Sequence, residues 1–396
     1  MPYINSPISL TDHVSLQRAP ITEPPTYLPQ LDGLRTLAVI PVLIQHWGGS
    51  HLSLFTINVG GYGVGLFFVL SGFLITRILL AQRRGSDNSA RGLAVRQFWI
   101  RRVLRIFPLY YAVLIAGCAF NIEGFRAFWN WHALYLTNFL FDSGKLAYST
   151  HFWTLSVEEQ FYLAWPLIVL FFGRKALYVT TFMLILTAPC YRILPNTDAV
   201  RSLMPTSLLP AQLDYLGLGA LLALLLYDFD SRFVRTLARV LMATACIGFT
   251  LLTSVTSKLG WLNHTCLAMF CCALIYFVSA GSTNWLQNLL KWEPLVRIGK
   301  ISYGIYVLHM LAPAFWDWLY YSAPIPGYRI LPRLGIQPEL HQLHWFKVAA
   351  WLIITMSFSC ASWFLFESRI LALKRYFPYT IRAESDRDSG SRKEIA

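Results

Sequence analysis

Arg35 and His46 stand 11 residues apart in "LDGLRTLAVIPVLIQHW" (31–47), a run that is otherwise largely apolar. Eleven residues make close to three helical turns, so both side chains project from one face, about 16 Å apart along the axis. A neutral imidazole is a general base for a hydroxyl. A guanidinium binds carboxylates or phosphates through two parallel hydrogen bonds. Ionisable groups inside an apolar span are costly and mark function. Position alone leaves a second reading of His46 open, a ring hydrogen-bonded to a neighbouring helix or lying at the membrane interface. Pro41, between the two, removes a backbone donor and can kink the helix, opening space beside the histidine.

Five further stretches carry candidates. "GGYGVGLFFVLSGFLITRILL" (60–80) holds Ser71 among Gly61, Gly65 and Gly72. Small residues let helices approach closely, and a Ser71–Gly72 break could also free donors toward a developing oxyanion. "FWIRRVLRIFPLYY" (98–111) places Arg101, Arg102 and Arg105 at i,i+4 and i,i+3 spacing, on one helix face. They suit a phosphate site, or an anchor to lipid headgroups. "HFWTLSVEEQFYLAWP" (151–166) carries His151, Glu158 and Glu159. Adjacent carboxylates point to different helix faces, so one is expected in solvent and the other toward the bundle. Asp214 lies early in "AQLDYLGLGALLA" (211–223), and Ser302, Tyr303, Tyr306 and His309 lie in "IGKISYGIYVLHM" (298–310). Glu367 and Arg369 read as a structural pair.

The elements that position these residues follow from composition. The 396-residue chain is 56% hydrophobic and 13% charged, with mean hydropathy +0.48. Soluble domains average about 25% charged residues. The chain therefore reads as an all-α, polytopic transmembrane bundle, with no barrel pattern of short alternating strands. About ten spans are expected, near 34–52, 61–82, 106–122, 154–172, 176–194, 208–227, 238–256, 262–280, 301–320 and 345–365. The aromatic stretch 123–150 suits a re-entrant or interfacial helix, or an extra span.

Of the 33 Lys and Arg residues, 25 fall in 1–35, 77–105, 174–175, 232–239, 291–300 and 369–393. Positive loops favour the cytoplasm, so both termini are expected inside. The net charge of +13 is then a topology signal and calls for no nucleic acid. The seven cysteines show neither CxxC nor Cys/His spacing, so no disulfide framework and no metal site are expected. No cleavable signal peptide is visible. Residues 1–30 read as a disordered cytoplasmic N-terminal tail, 31–368 as the membrane domain and 369–396 as a cytoplasmic C-terminal tail. An intramembrane His and Arg also suit a transporter or flippase, although no inverted repeat is evident.

Taken as a set, these motifs resemble the acyltransferase-3 family, membrane enzymes that O-acylate bacterial surface glycans and some small molecules. The resemblance runs from about Leu31 to Glu367. "LDGLRTLAVIPVLIQH" is similar to the family's opening Arg-x10-His motif, and "GVGLFFVLSGFLI" to its second-span signature. "RRVLR" contains its Arg-x-x-Arg on Arg102 and Arg105, and "FWTLSVEEQFYLAWP" is similar to its Glu-Glu block. "QLDYLGLGALLA" and "ISYGIYVLH" complete six motifs in family order.

The resemblance implies an O-acetyltransferase of the bacterial inner (plasma) membrane. It implies His46 as catalytic base, or as a transiently acylated nucleophile, with Arg35 as its partner in binding the donor or holding the catalytic geometry. Arg101, Arg102 and Arg105 become a binding site for cytoplasmic acyl-CoA, most simply acetyl-CoA, a co-substrate rather than a bound cofactor. Ser71, His151, Glu158, Glu159, Asp214, Tyr303 and His309 become acceptor or oxyanion candidates. The acceptor is expected to be a cell-surface or lipid-linked carbohydrate, with a small secreted metabolite as the alternative. Membrane lipids are the other partner. Nothing after Glu367 suits the esterase-type domain that some members append, so a stand-alone form is expected.

Overall fold

A computed structural model describes residues 27–48, 59–83, 88–193, 206–255, 262–280, 285–318 and 344–379. The outer parts of both expected tails, 1–26 and 380–396, lie outside the described residues. Among the described residues the secondary structure is helical, with no strand. The principal helices are α1 (Pro29–Trp47), α2 (Val59–Arg83) and α3 (Asn88–Ala119), then the short α4 (Trp129–Ala133), α5 (Phe152–Phe171) and α6 (Arg174–Ile193). They continue as α7 (Leu213–Asp228), α8 (Ser231–Val255), α9 (Leu262–Ser279), α10 (Trp285–Leu290) and α11 (Glu293–Lys300). The last are α12 (Ser302–Leu308), α13 (Leu311–Asp317) and α14 (His344–Ser362), which runs on through further turns to Tyr376.

Seven described helices are long and apolar enough to cross a bilayer, including α2, α3, α6 and α14 with its continuation. Two expectations change. The span expected at 301–320 is broken into α12 and α13 at His309–Met310. The cause is Pro313 in α13, which has no N–H for the carbonyl four residues back, that of His309, and whose ring crowds it. The stretch 123–150 is a cap of short helical turns rather than another span. His132 holds this cap together. Its ring nitrogens lie 2.9 Å from Thr137 Oγ1 and 2.9 Å from the Gly124 carbonyl, and Tyr110 donates to its own carbonyl at 2.8 Å.

Two helices, α2 and α7, form the centre of the bundle. Gly72 rests on the carbonyl of Leu216 and Gly219 on that of Val69, so a Cβ at either would overlap backbone. This reciprocal fit lets the two axes approach closely, as small residues do in membranes. Phe68, Leu70, Phe73, Leu216 and Trp165 pack around the crossing as fully buried core. The Trp165 indole also donates to Thr76 Oγ1 at 2.7 Å, fastening α5 to α2.

Candidate functional site

Arginines from two helices meet at one end of the bundle. Arg35 of α1 and Arg102 and Arg105 of α3 line a cavity of about 110 Å³ that runs inward between α1, α2, α3, α5 and α12. The same three arginines also line an adjoining outer cavity of about 320 Å³, together with Arg101, Lys300, Lys374, Asp32 and Tyr27. The two spaces form one cationic entrance with a narrower inner chamber.

The arginines differ in how they are held. Arg35 donates to Asp32 Oδ1 at 2.5 Å, and Tyr27 fixes the other Asp32 oxygen at 2.6 Å. Arg101 is committed elsewhere. It donates to the carbonyls of Lys374 and Phe377 at 2.9 and 3.0 Å and stacks on Tyr379. It reaches the outer entrance but does not line the inner chamber. Arg105 donates to the Lys300 carbonyl at 3.4 Å and lies over Tyr303. Arg102 lies between the rings of Phe98 and Tyr162 and, among the described residues, makes no hydrogen bond to protein. A guanidinium flanked by rings and left with open donors is arranged for an anion.

The two adjacent glutamates part as helical geometry requires. Glu158 faces the inner chamber. It accepts from Ser71 Oγ at 2.5 Å, and Ser71 accepts from Tyr162 at 3.0 Å. Ser71 thus spends its only proton on Glu158, so the expectation of a free oxyanion donor is corrected. Neither glutamate is the solvated one expected: Glu159 keeps a buried oxygen without a hydrogen-bond partner.

The expectation for Asp214 also changes. Its carboxylate is fully buried and takes two hydrogen bonds from Arg192, at 2.7 and 2.9 Å, plus one from Thr265 at 2.9 Å. It lines neither of the two cavities. Its role is to tie α6, α7 and α9 together. Glu367 likewise pairs differently from its expected Arg369 link, accepting from Ser362 at 2.9 Å.

The inner chamber ends against Thr154 and Tyr306, whose hydroxyls are 2.5 Å apart. Tyr303, beside them, donates to the Ile106 carbonyl at 2.6 Å and closes the α3 side. Behind this wall lies a cluster of three histidines. His46 Nδ1 is 3.0 Å from His309 Nε2, and the His309 ring centroid is 4.8 Å from that of His151. His151 and His309 are fully buried, whereas His46 at the end of α1 is exposed. His151 donates from Nε2 to the Val307 carbonyl at 3.1 Å. Arg35 and His46 therefore share a helix, but His46 lines neither of the two cavities described above. Tyr306 and Thr154 stand between the inner chamber and the histidine cluster, since Tyr306 lines the chamber and its ring also lies against His151 and His309.

Sequence reasoning gave no role to Tyr162 or Thr154, and named Tyr306 as a candidate without assigning it one. Signals existed for two of them: Tyr162 is one turn beyond Glu158, and Tyr306 three residues before His309. Lys300 and Lys374 carried no local signal, since only packing brings them to the entrance. Among the described residues no group of three or more His, Cys, Asp or Glu side chains is placed so that it could hold a metal ion.

The family model described as an acyltransferase domain matches residues 28–367. The peptidoglycan O-acetyltransferase OatA of Listeria monocytogenes is 29% identical over 72% of this chain and 49% of its own length. The putative peptidoglycan O-acetyltransferase YrhL of Bacillus subtilis is 29% identical over 72% of this chain and 48% of its own. The O-acetyltransferase OatA of Staphylococcus aureus is 27% identical over 77% and 53%. The chain thus spans about half the length of the curated relatives it matches. No solved structure matches. With the family model matching residues 28–367, well over half of the chain, this multi-pass membrane protein belongs to the acyltransferase-3 family.

Proposed function

We propose that the protein is an integral membrane O-acetyltransferase. It moves an acetyl group from cytoplasmic acetyl-CoA to a hydroxyl of a cell-surface or lipid-linked carbohydrate. The observation that carries this reading is Arg102, a guanidinium with open donors at the junction of a cationic entrance and an inner chamber. The phosphates of a nucleotide thioester supply the anion. The names of the relatives support glycan O-acetylation, with peptidoglycan the acceptor those names print.

In this reading Arg102, Arg105, Arg35 and Lys300 hold the donor phosphates at the entrance. The thioester end reaches inward toward Tyr306, and passage to His46 requires the Tyr306–Thr154 pair to part. His46 removes the acceptor O–H proton as that oxygen attacks the thioester carbonyl. The new C–O bond forms, the C–S bond breaks, and the leaving thiolate takes the proton back. The positive-inside distribution supports reading the arginine entrance as facing the cytoplasm.

The test uses membranes holding matched amounts of the full chain or its His46→Ala variant, supplied with acetyl-CoA labelled in the acetyl group. Label entering base-labile glycan with the wild type alone supports the reading. Equal labelling by both removes His46 from the chemistry. Absence of label with both, together with no consumption of acetyl-CoA, overturns the donor assignment.

A further inference from the structure

His309 occupies a position with unusually definite hydrogen-bond logic. Its Nδ1 lies 2.6 Å from the carbonyl of Tyr306, in the last turn of α12. A carbonyl can only accept, so Nδ1 carries a hydrogen. The ring is fully buried against His151, Tyr306 and Trp47, and no carboxylate hydrogen-bonds to it among the described residues. A buried, unpaired imidazolium is costly, so the neutral ring is the resting form. A neutral ring protonated at Nδ1 has a lone pair at Nε2. That nitrogen is 3.0 Å from His46 Nδ1, which must then be the donor.

We infer that His309 is a positioning residue that locks His46 in the Nδ1–H tautomer, leaving the His46 Nε2 lone pair as the base. The proposal rests on the reading of His46 as general base. The chain of direction runs outward from a backbone carbonyl: Tyr306 C=O fixes His309, and His309 fixes His46, whose ring also meets the Val42 backbone one turn back on α1. When His46 Nε2 takes a proton, the Nδ1–H···Nε2 bond becomes charge-assisted and stabilises the imidazolium. No proton needs to leave the pair, and it returns to the leaving thiolate through Nε2. The scaffold fixes orientation as well as tautomer. The neighbouring residue, Trp47, donates its indole N–H to the His309 carbonyl at 3.3 Å, so the end of α1 is held to this one residue at two points.

The test has two arms, both on the full chain reconstituted in lipid vesicles. In the first, histidines are labelled with nitrogen-15, and solid-state NMR reads which ring nitrogens are protonated, with His46→Ala identifying the His46 signals. The expected wild-type pattern is a protonated Nδ1 and an unprotonated Nε2 at His46. His309→Phe removes the acceptor and should release His46 to a mixture that includes the Nε2–H form. His309→Gln offers an amide oxygen near the lost Nε2 and should keep the Nδ1–H form. A wild-type His46 protonated at Nε2, or an unchanged tautomer in His309→Phe, overturns the inference.

In the second arm, acetyl-CoA thioester turnover is measured. His309→Phe should lower kcat by about 100-fold or more with KM for acetyl-CoA unchanged, and His309→Gln should recover at least about 10-fold of it. A loss carried by KM, or no recovery with Gln, overturns the positioning role. Failure of the wild type to consume acetyl-CoA would refute the donor reading, while the NMR arm still decides the tautomer.

Discussion

The indole of Trp47 donates to the backbone carbonyl of His309, 3.3 Å away and 262 positions later in the chain. That carbonyl is free because Pro313 has no N–H to offer it. The same device recurs on α5. Pro166 leaves the carbonyl of Tyr162 without a helical donor, and Trp99 fills it through its indole at 3.1 Å. In a bilayer a freed carbonyl must be satisfied within the protein, and a buried indole N–H also needs a partner. Each proline thus pins a neighbouring helix beside the site.

Pro313→Ala should let α12 and α13 join and withdraw the His309 carbonyl from Trp47. Trp47→Phe removes the same bond while leaving the break intact and should cost about 1 kcal/mol. Thermal unfolding of the purified protein measures the second change. The first should also lower transfer activity by displacing His309, and that loss should exceed the loss in Trp47→Phe.

The arginines should separate kinetically. Replacing Arg102 and Arg105 together by Ala should raise KM for acetyl-CoA by about 10-fold or more, since charge-assisted bonds to an anion contribute about 1.5–3 kcal/mol each. Arg101→Ala should leave KM nearly unchanged and free the segment around Lys374–Phe377, to which it is bonded. Steady-state kinetics reads the first effect, and protease cleavage of the C-terminal segment reads the second. A KM change confined to Arg101→Ala would contradict the assignment.

Ser71→Ala removes the link between Glu158 and Tyr162 inside the chamber. Leaving buried polar groups short of partners should lower stability by about 1–3 kcal/mol. Because the Ser71 proton is already committed, the variant should keep kcat within about threefold while KM for the donor rises. A large fall in kcat alone would restore Ser71 as an oxyanion donor.

The Arg192–Asp214 pair should behave as structure rather than chemistry. Both side chains are almost wholly buried, at 2% and 0% exposure. Asp214→Asn or Arg192→Met should each lower stability by about 3–5 kcal/mol by stranding the other charge. The protein that remains folded should turn over donor at the wild-type rate per molecule. Thermal unfolding with activity normalised to folded protein checks both statements.

Gly219→Ala tests the central crossing, since its new Cβ would meet the Val69 carbonyl. Overpacking there should cost about 1–3 kcal/mol. Gly92→Ala, with open space around the added carbon, is the control and should be neutral or slightly stabilising.

Local sequence determined the class of this protein. Long apolar runs make helices that must satisfy their backbone internally, so an all-α membrane bundle follows from composition and span length. Spacing likewise put Arg35 and His46 on one helix and the three arginines on another, because helical periodicity is a local property. What spacing leaves open is which neighbour each face meets, and that requires the packed bundle. Arg101 and Arg102 are successive residues, yet a turn of roughly 100° sends one to the C-terminal segment and the other to the chamber. Asp214 looked like a site residue until folding set Arg192 against it. The carbonyl that orients His309 is local, three residues back on Tyr306, but the meeting of His309 with His46, 263 positions apart, is one that only the tertiary structure could supply.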